Sequence, residues 1–303
     1  MLVENSKSLT IKRLIIFIVS TVIIAWILFF LIPITGVSYG QGSSVLFLMA
    51  AMFAPTIGNI LTRLITKEGF KNMYLRPNFK GNLKLYLLVF FVPSFLLLLS
   101  SALYFLILPD MFDRNLTTLN QMVAISGKSA SSIITILLIT VIFAGPIVNL
   151  IPTLGEELGW RGYLLPKLQV FFSDRIAVII TGIIWGLWHA PVIAMGHNYG
   201  TEYWGYPTLG ILAMVIFCVV LGIIESYFSI KLKSAIPAAM IHSTLNAGAG
   251  LPIYFVKSGY NTLLGPAITG IIGGLPFIIL AVILFFRLAK TKENSSVEPS
   301  EQN

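Results

Sequence analysis

Charge is scarce in this chain: 11% of its 303 residues are Asp, Glu, Lys or Arg, while 56% are hydrophobic and the mean hydropathy is +0.89. Soluble domains carry about a quarter charged residues, so that class is excluded. Cysteine is almost absent. The single Cys218, set among Phe and Val, rules out an internal disulfide, and no Cys/His metal spacing exists. We read Cys218 as an apolar packing residue. A Gly-x-Ser-x-Gly elbow is also missing, which disfavours a serine nucleophile. No internal repeat is visible, which weakens a transporter built from duplicated halves. Histidine occurs three times, at His189, His197 and His242.

Long apolar runs are what the chain has in plenty. Runs above about 18 residues are transmembrane candidates, and eight are readable: 13–34, 44–65, 84–108, 131–153, 176–194, 208–230, 235–256 and 265–288. The first follows Lys12-Arg13 but is too long for a signal peptide and lacks a small-x-small cleavage site, so it reads as an anchor. The fold expected is an all-α, polytopic membrane bundle of about eight helices around an intramembrane polar cavity. One membrane domain spans 1–290, with its motif core at 155–250, and the polar tail 291–303 is expected to be disordered.

Loop charge orients the bundle. With the N-terminus inside, cytoplasmic segments hold Lys7, Lys12, Arg13, Arg63, Lys67, Lys71, Arg76, Lys80, Lys84, Arg161, Lys167, Arg175, Lys231, Lys233, Arg287, Lys290 and Lys292. Only Arg114, Lys128 and Lys257 fall outside. This is the positive-inside pattern, with both termini cytoplasmic. The net charge of +8 then faces anionic lipid rather than nucleic acid. Segment 69–84 mixes basic and aromatic residues and reads as lying on the membrane surface.

Against this background Glu156 and Glu157 are out of place. Ionisable groups at hydrocarbon depth cost about 2.5–3.5 kcal/mol each, and they mark pathways, pairings or active sites. Glu157 and Arg161 are i, i+4 and can form a charge-assisted pair. Glu156 is turned about 100° from Glu157, so the two carboxylates need not share one task. Trp185 and His189 repeat the i, i+4 spacing, as do His242 and Asn246. Hydrolysis suits such a set: a carboxylate and a histidine can activate water, while an imidazole and an amide can hold an oxyanion.

Each element also has a plainer reading. The Glu157–Arg161 pair could simply stabilise the bundle, either intramembrane histidine could make an interhelical hydrogen bond, and Trp185, Trp188 or Trp204 could be interface residues. Glu225, six residues before Lys231, is expected to snorkel or pair near the cytoplasmic end. His197, in an outer loop with Asn198, Tyr199 and Glu202, is given no role. The functional reading rests on all three pairs occurring together.

Glu156-Glu157-x-x-x-Arg161, Trp185-x-x-x-His189 and His242-x-x-x-Asn246, in that order, resemble the CAAX prenyl-protease and bacteriocin-processing family of intramembrane proteases (Abi, CPBP), closest to its archaeal Ras-converting CAAX endopeptidase homologues. Trp185 stands where the second motif commonly has Phe. The resemblance implies an endopeptidase whose cavity opens toward the cytoplasm. It implies that Glu156 and His189 activate water, that His242 and Asn246 stabilise the oxyanion, and that Glu157, Arg161 and Trp185 support the site or the substrate. It also implies a protein or peptide substrate cut near its C-terminus, prenylated CAAX proteins being one class beside pheromones, bacteriocin leaders and membrane regulators. A zinc ion is left open by the resemblance. The absence of a His-Glu-x-x-His helix favours a metal-free, glutamate-type mechanism with no cofactor. The competing expectations are a non-catalytic scaffold or immunity protein, and a transporter using Glu156, His189 and His242 as a proton relay.

Overall fold

A computed structural model describes residues 2–290; the expected disordered tail, 291–303, lies outside the described residues. Helix α1 (Leu2–Ile34) is followed by α2 (Ser44–Ala51), α3 (Ala54–Ile65), α4 (Leu83–Ile107) and α5 (Thr117–Ser126). Next come α6 (Ala130–Ile139), α7 (Gly145–Val148), α8 (Leu150–Gly159) and α9 (Leu165–Leu168), with π-helical turns at Thr140–Ala144 and Trp160–Leu164. The remainder is α10 (Asp174–Trp188), α11 (Ala190–Ile193), α12 (Thr208–Leu232), α13 (Ile236–Gly248) and α14 (Leu275–Arg287). The protein is a polytopic all-α membrane protein.

One face of α1 shows why water is the wrong solvent for it. Ile11, Ile15, Val19, Ile23 and Ile27 form an exposed apolar stripe, while Phe17, Ala25, Phe29 and Ile32 are buried behind it. Among the described residues four segments are long and apolar enough to cross a bilayer: Ser6–Ile34, Leu83–Ile107, Ala130–Val148 and Thr208–Leu232. The α2–α3 pair, bent by 43°, makes a fifth if it is one span.

The other apolar runs are interrupted, and proline explains where. Pro55, Pro191, Pro252 and Pro276 each stand in the first turn after a break. There the missing N–H is harmless, whereas a continuous helix would lose a hydrogen bond. Irregular backbone at membrane depth is tolerated where protein or a cavity covers it.

Glycines set the closest helix contacts. A Cβ on Gly182 would come 2.6 Å from Val219 Cα, and one on Gly186 would come 2.5 Å from Val215 Cα, so α10 lies directly on the backbone of α12. In the same way a Cβ added to Gly159 would come 2.3 Å from Pro55 Cβ, so α8 lies directly on the start of α3. Small residues permit this approach between membrane helices. Hydrogen bonds fasten it: Thr56 Oγ1 donates to Gly155 O (2.6 Å) and Asn59 Nδ2 to Leu158 O (2.9 Å). With this face of α8 held against α3, its glutamates turn into the bundle.

The basic end of the molecule is also fixed. Arg63 donates to the carbonyls of Gly69 (2.8 Å), Lys71 (3.1 Å) and Asn72 (3.3 Å). Phe70, Leu75 and Phe79 in this segment stay exposed, as a surface-lying segment requires. Glu68 bonds Lys167 and Tyr163 and pairs with Arg13. Burial pushes the Glu68 carboxyl up, but these partners outweigh it and hold the carboxyl below its ordinary range.

The α10–α12 contact carries His189, three residues after Gly186, to its place. Gly186→Val should force the helices apart and lower stability by about 1–3 kcal/mol, the usual cost of overpacking. A thermal melt in detergent reads this directly, and an unchanged midpoint would mean that the contact is not tight.

Candidate active site

Four helices meet where the sequence motifs point. The end of α8 and the π-turn after it supply Glu156, Glu157, Trp160 and Arg161, and α10 supplies Trp185 with His189 capping it. Helix α13 supplies His242 and Asn246, and α12 adds Glu225. π-Turns are frequent at functional sites because the wider turn re-aims side chains.

Arg161 lies at the centre with no solvent exposure. Its Nη1 donates to Glu157 Oε2 (2.8 Å) and Oε1 (3.0 Å), which realises the expected i, i+4 pair. Its Nη2 lies 2.7 Å from Glu225 Oε2, an ion pair without hydrogen-bond alignment. Glu225 is therefore fully buried. Of the two expectations for it, snorkelling or pairing near the cytoplasmic end, Glu225 pairs, and it does so inside the bundle with Arg161 rather than snorkelling. Gly222, one turn earlier on α12, leaves the room: a Cβ there would stand 3.1 Å from Arg161 Nη2.

Trp185 joins this charge cluster to the other groups. The Arg161 guanidinium lies 4.4 Å from its ring centre, a cation–π contact. Its Nε1 donates to Glu156 Oε2 (2.8 Å), and Trp160 Nε1 reaches the same oxygen at 3.4 Å. Both bonds fall on Oε2, so Oε1 is left for a group in the cavity. Glu157, by contrast, accepts from His242 Nδ1 at 3.0 Å. The two adjacent carboxylates are thus separated, one facing the cavity and one inside the ion cluster.

The histidines are oriented by their Nδ1 atoms. His189 Nδ1 lies 2.9 Å from Trp185 O. A carbonyl can only accept, so Nδ1 carries the proton and Nε2 presents its lone pair. The Trp188 ring stands edge-on to His189 at 4.7 Å, and Cys218 Sγ packs 4.0 Å from Nδ1. Cys218 is buried, as its apolar reading required.

Glu156, Trp185, His189, His242 and Asn246 line one cavity of about 410 Å³. Asn246 is exposed within it and, among the described residues, has no hydrogen-bond partner. His197, given no role in the sequence, also lines the cavity and stacks parallel to His189 at 6.1 Å. It is hydrogen-bonded to Tyr39. Burial pushes His197 down to about 4 and Tyr39 up to about 12, so this contact is between neutral groups. His197 escaped notice because nothing in a loop sequence reveals that the loop folds back over the bundle.

Among the described residues, the His/Asp/Glu group compact enough for a metal is Glu157, Glu225 and His242, with ligand atoms within 4.8 Å of one another. Arg161 is already ion-paired with both carboxylates, and Glu157 holds His242 Nδ1. A divalent ion there would meet a guanidinium, so these residues do not fit zinc.

Comparison with known proteins agrees with the motifs. The model of the type II CAAX prenyl endopeptidase Rce1-like family matches residues 130–248, a span that holds all three motifs. CAAX prenyl protease 2 of Methanococcus maripaludis is 30% identical over 240 residues, covering 76% of this chain and 82% of the archaeal protein. A likeness running over most of both chains joins the motifs to the helices that carry them, and the protein belongs to the type II CAAX prenyl endopeptidase family of membrane endopeptidases.

Proposed function

We propose that this protein hydrolyses a peptide bond near the C-terminus of a protein or peptide, using water activated by Glu156 and His189, with His242 and Asn246 holding the oxyanion and no metal taking part. The name of the archaeal relative makes a prenylated CAAX-type protein the first substrate to test. The observation that carries the reading is the convergence of these four side chains on one cavity, with Glu156 Oε1, His189 Nε2 and the Asn246 amide unengaged among the described residues.

The chemistry follows from these free atoms. Water between Glu156 Oε1 and His189 Nε2 loses its proton as its oxygen attacks the scissile carbonyl. The carbonyl oxygen becomes an oxyanion and accepts from Asn246 Nδ2 and His242 Nε2. His242 already donates through Nδ1, so an Nε2–H makes it an imidazolium, which the Glu157 carboxylate stabilises. Collapse of the intermediate breaks the C–N bond, and the proton taken from water passes to the leaving amine. Trp185 holds Glu156 and His189 at opposite ends of one side chain and backbone unit, which fixes the base pair before substrate arrives.

Loss of a general base costs about 10²–10⁴-fold, so Glu156→Gln should cut the rate of farnesylated CAAX peptide cleavage by that factor while leaving the detergent melt near that of the native protein. A variant that keeps native turnover would remove Glu156 from the water-activating role. Asn246→Ala should cost about 10²–10³-fold, the usual loss of one oxyanion donor. A proton relay for transport has no such need for an amide, so full activity in that variant would count against hydrolysis at this site.

Metal dependence is checked separately. Exhaustive chelation should leave cleavage intact, and purified protein should hold no stoichiometric zinc. A loss of activity that only added zinc restores would instead make these histidines ligands, since metal binding requires them deprotonated and in reach of one ion.

A further inference from the structure

None of the three motifs includes His197, yet it lines the same cavity as Glu156, His189, His242 and Asn246. The chain brings it there by turning back on itself after α11. Gly196 (φ 96°) and Asn198 (φ 63°) flank it, both in the left-handed region that reverses a backbone. The His197 N–H donates to Val192 O (2.9 Å), and the Ile193 N–H donates to His189 O (3.0 Å). Both histidines are therefore tied by backbone bonds to the short helix α11. Their rings lie parallel, 6° apart, with centres separated by 6.1 Å. Tyr199 holds the loop further: its Oη donates to Thr269 O (3.1 Å), and its carbonyl accepts from Thr262 Oγ1 (2.7 Å).

Tyr39 decides which ring nitrogen His197 offers. The phenol is bonded to His197 Nδ1. A phenol is the better donor and an imidazole nitrogen the better acceptor, so Tyr39 donates and Nδ1 accepts. The ring proton then sits on Nε2. This is the reverse of His189, whose Nδ1–H leaves Nε2 as an acceptor. Burial pushes His197 down to about 4, so at neutral pH it is uncharged, a hydrogen-bond donor rather than a carrier of protons.

An extended chain rises about 3.3 Å per residue, so carbonyls on one side recur every two residues, about 6.6 Å apart. His189 works at the scissile peptide, and a parallel ring 6.1 Å away falls close to the next repeat on that side. In the proposed reaction Glu156, His189, His242 and Asn246 all act on the attacking water or the oxyanion. A flanking carbonyl drawn into the cavity loses its water and needs another donor. We infer that His197 binds the substrate, its Nε2–H donating to the backbone carbonyl two residues from the scissile one, with Tyr39 as the positioning residue that keeps the proton on Nε2. This assignment rests on the proposed peptidase reading.

The test is cleavage of a farnesylated CAAX peptide by purified protein, with kcat and KM separated. His197→Ala should raise KM about 3–10-fold, the loss of one hydrogen bond, and leave kcat within about twofold. His197→Gln, which keeps a side-chain N–H donor, should recover much of that KM. Tyr39→Phe should raise KM in the same direction as His197→Ala. Two peptide analogues locate the contact, one with the carbonyl two residues before the scissile carbonyl reduced to a methylene, the other with the carbonyl two residues after it. One of them should show a raised KM with the native protein and lose nothing further with His197→Ala. Should His197→Ala fail to fold, His197→Gln and Tyr39→Phe are read against the same analogues. Native KM in His197→Ala, a loss confined to kcat, or analogue losses that add in full to those of the variants would overturn the inference and leave His197 a clasp for its loop. Glu156→Gln separates the two readings. If it cleaves as the native protein does, the peptidase reading fails; if it is inactive while His197→Ala keeps native KM, that reading stands and the role of His197 falls.

Discussion

Arg161 is a cation held without water inside an apolar bundle, and the candidate site is arranged around keeping it there. A buried charge survives only when paired and hydrogen-bonded. Glu157 accepts two hydrogen bonds from it, Glu225 faces it from α12, and the Trp185 ring lies against it. Each partner then has a second task or a neighbour with one. Glu157 orients His242, and Trp185 orients Glu156 through its indole and His189 through its carbonyl. The close packing of α10 on α12, made possible by Gly182 and Gly186, brings the aromatic and acidic partners within reach.

This arrangement gives two neighbouring carboxylates unlike environments. Glu157 is neutralised by Arg161 and spends its remaining acceptor capacity on His242. Among the described residues Glu156 has no cation in contact and is held by the indole N–H groups of Trp160 and Trp185, with one oxygen turned to the cavity. That two successive acids face such different surroundings is a consequence of the angle between successive helical residues. A dry wall strengthens every polar contact inside such a cavity, which is why few groups suffice.

Much of this was legible in the chain. Long apolar runs announced the membrane, and i, i+4 spacing correctly paired Glu157 with Arg161 and brought His242 and Asn246 to one cavity. What escaped reading has physical causes. Hydropathy counts length but not breaks, so the runs interrupted before Pro55, Pro191 and Pro276 looked continuous. Glu225 lay close to Lys231 in sequence, yet its partner came from another helix, which periodicity along one run cannot show. His197 and Tyr39 belong to loops far apart in the chain, and only the fold brings them together over the cavity.

The most direct measurement removes the central cation. Arg161→Ala leaves Glu157 and Glu225 buried and uncompensated, a loss of about 3–5 kcal/mol for breaking a buried pair. Its thermal melt and its peptide cleavage, read on the same detergent preparation, should both fall well below those of the native protein. Native melting with native cleavage would contradict the dependence of the site on this ion cluster, since neither Trp185 nor Glu157 would then need Arg161 to stay in place.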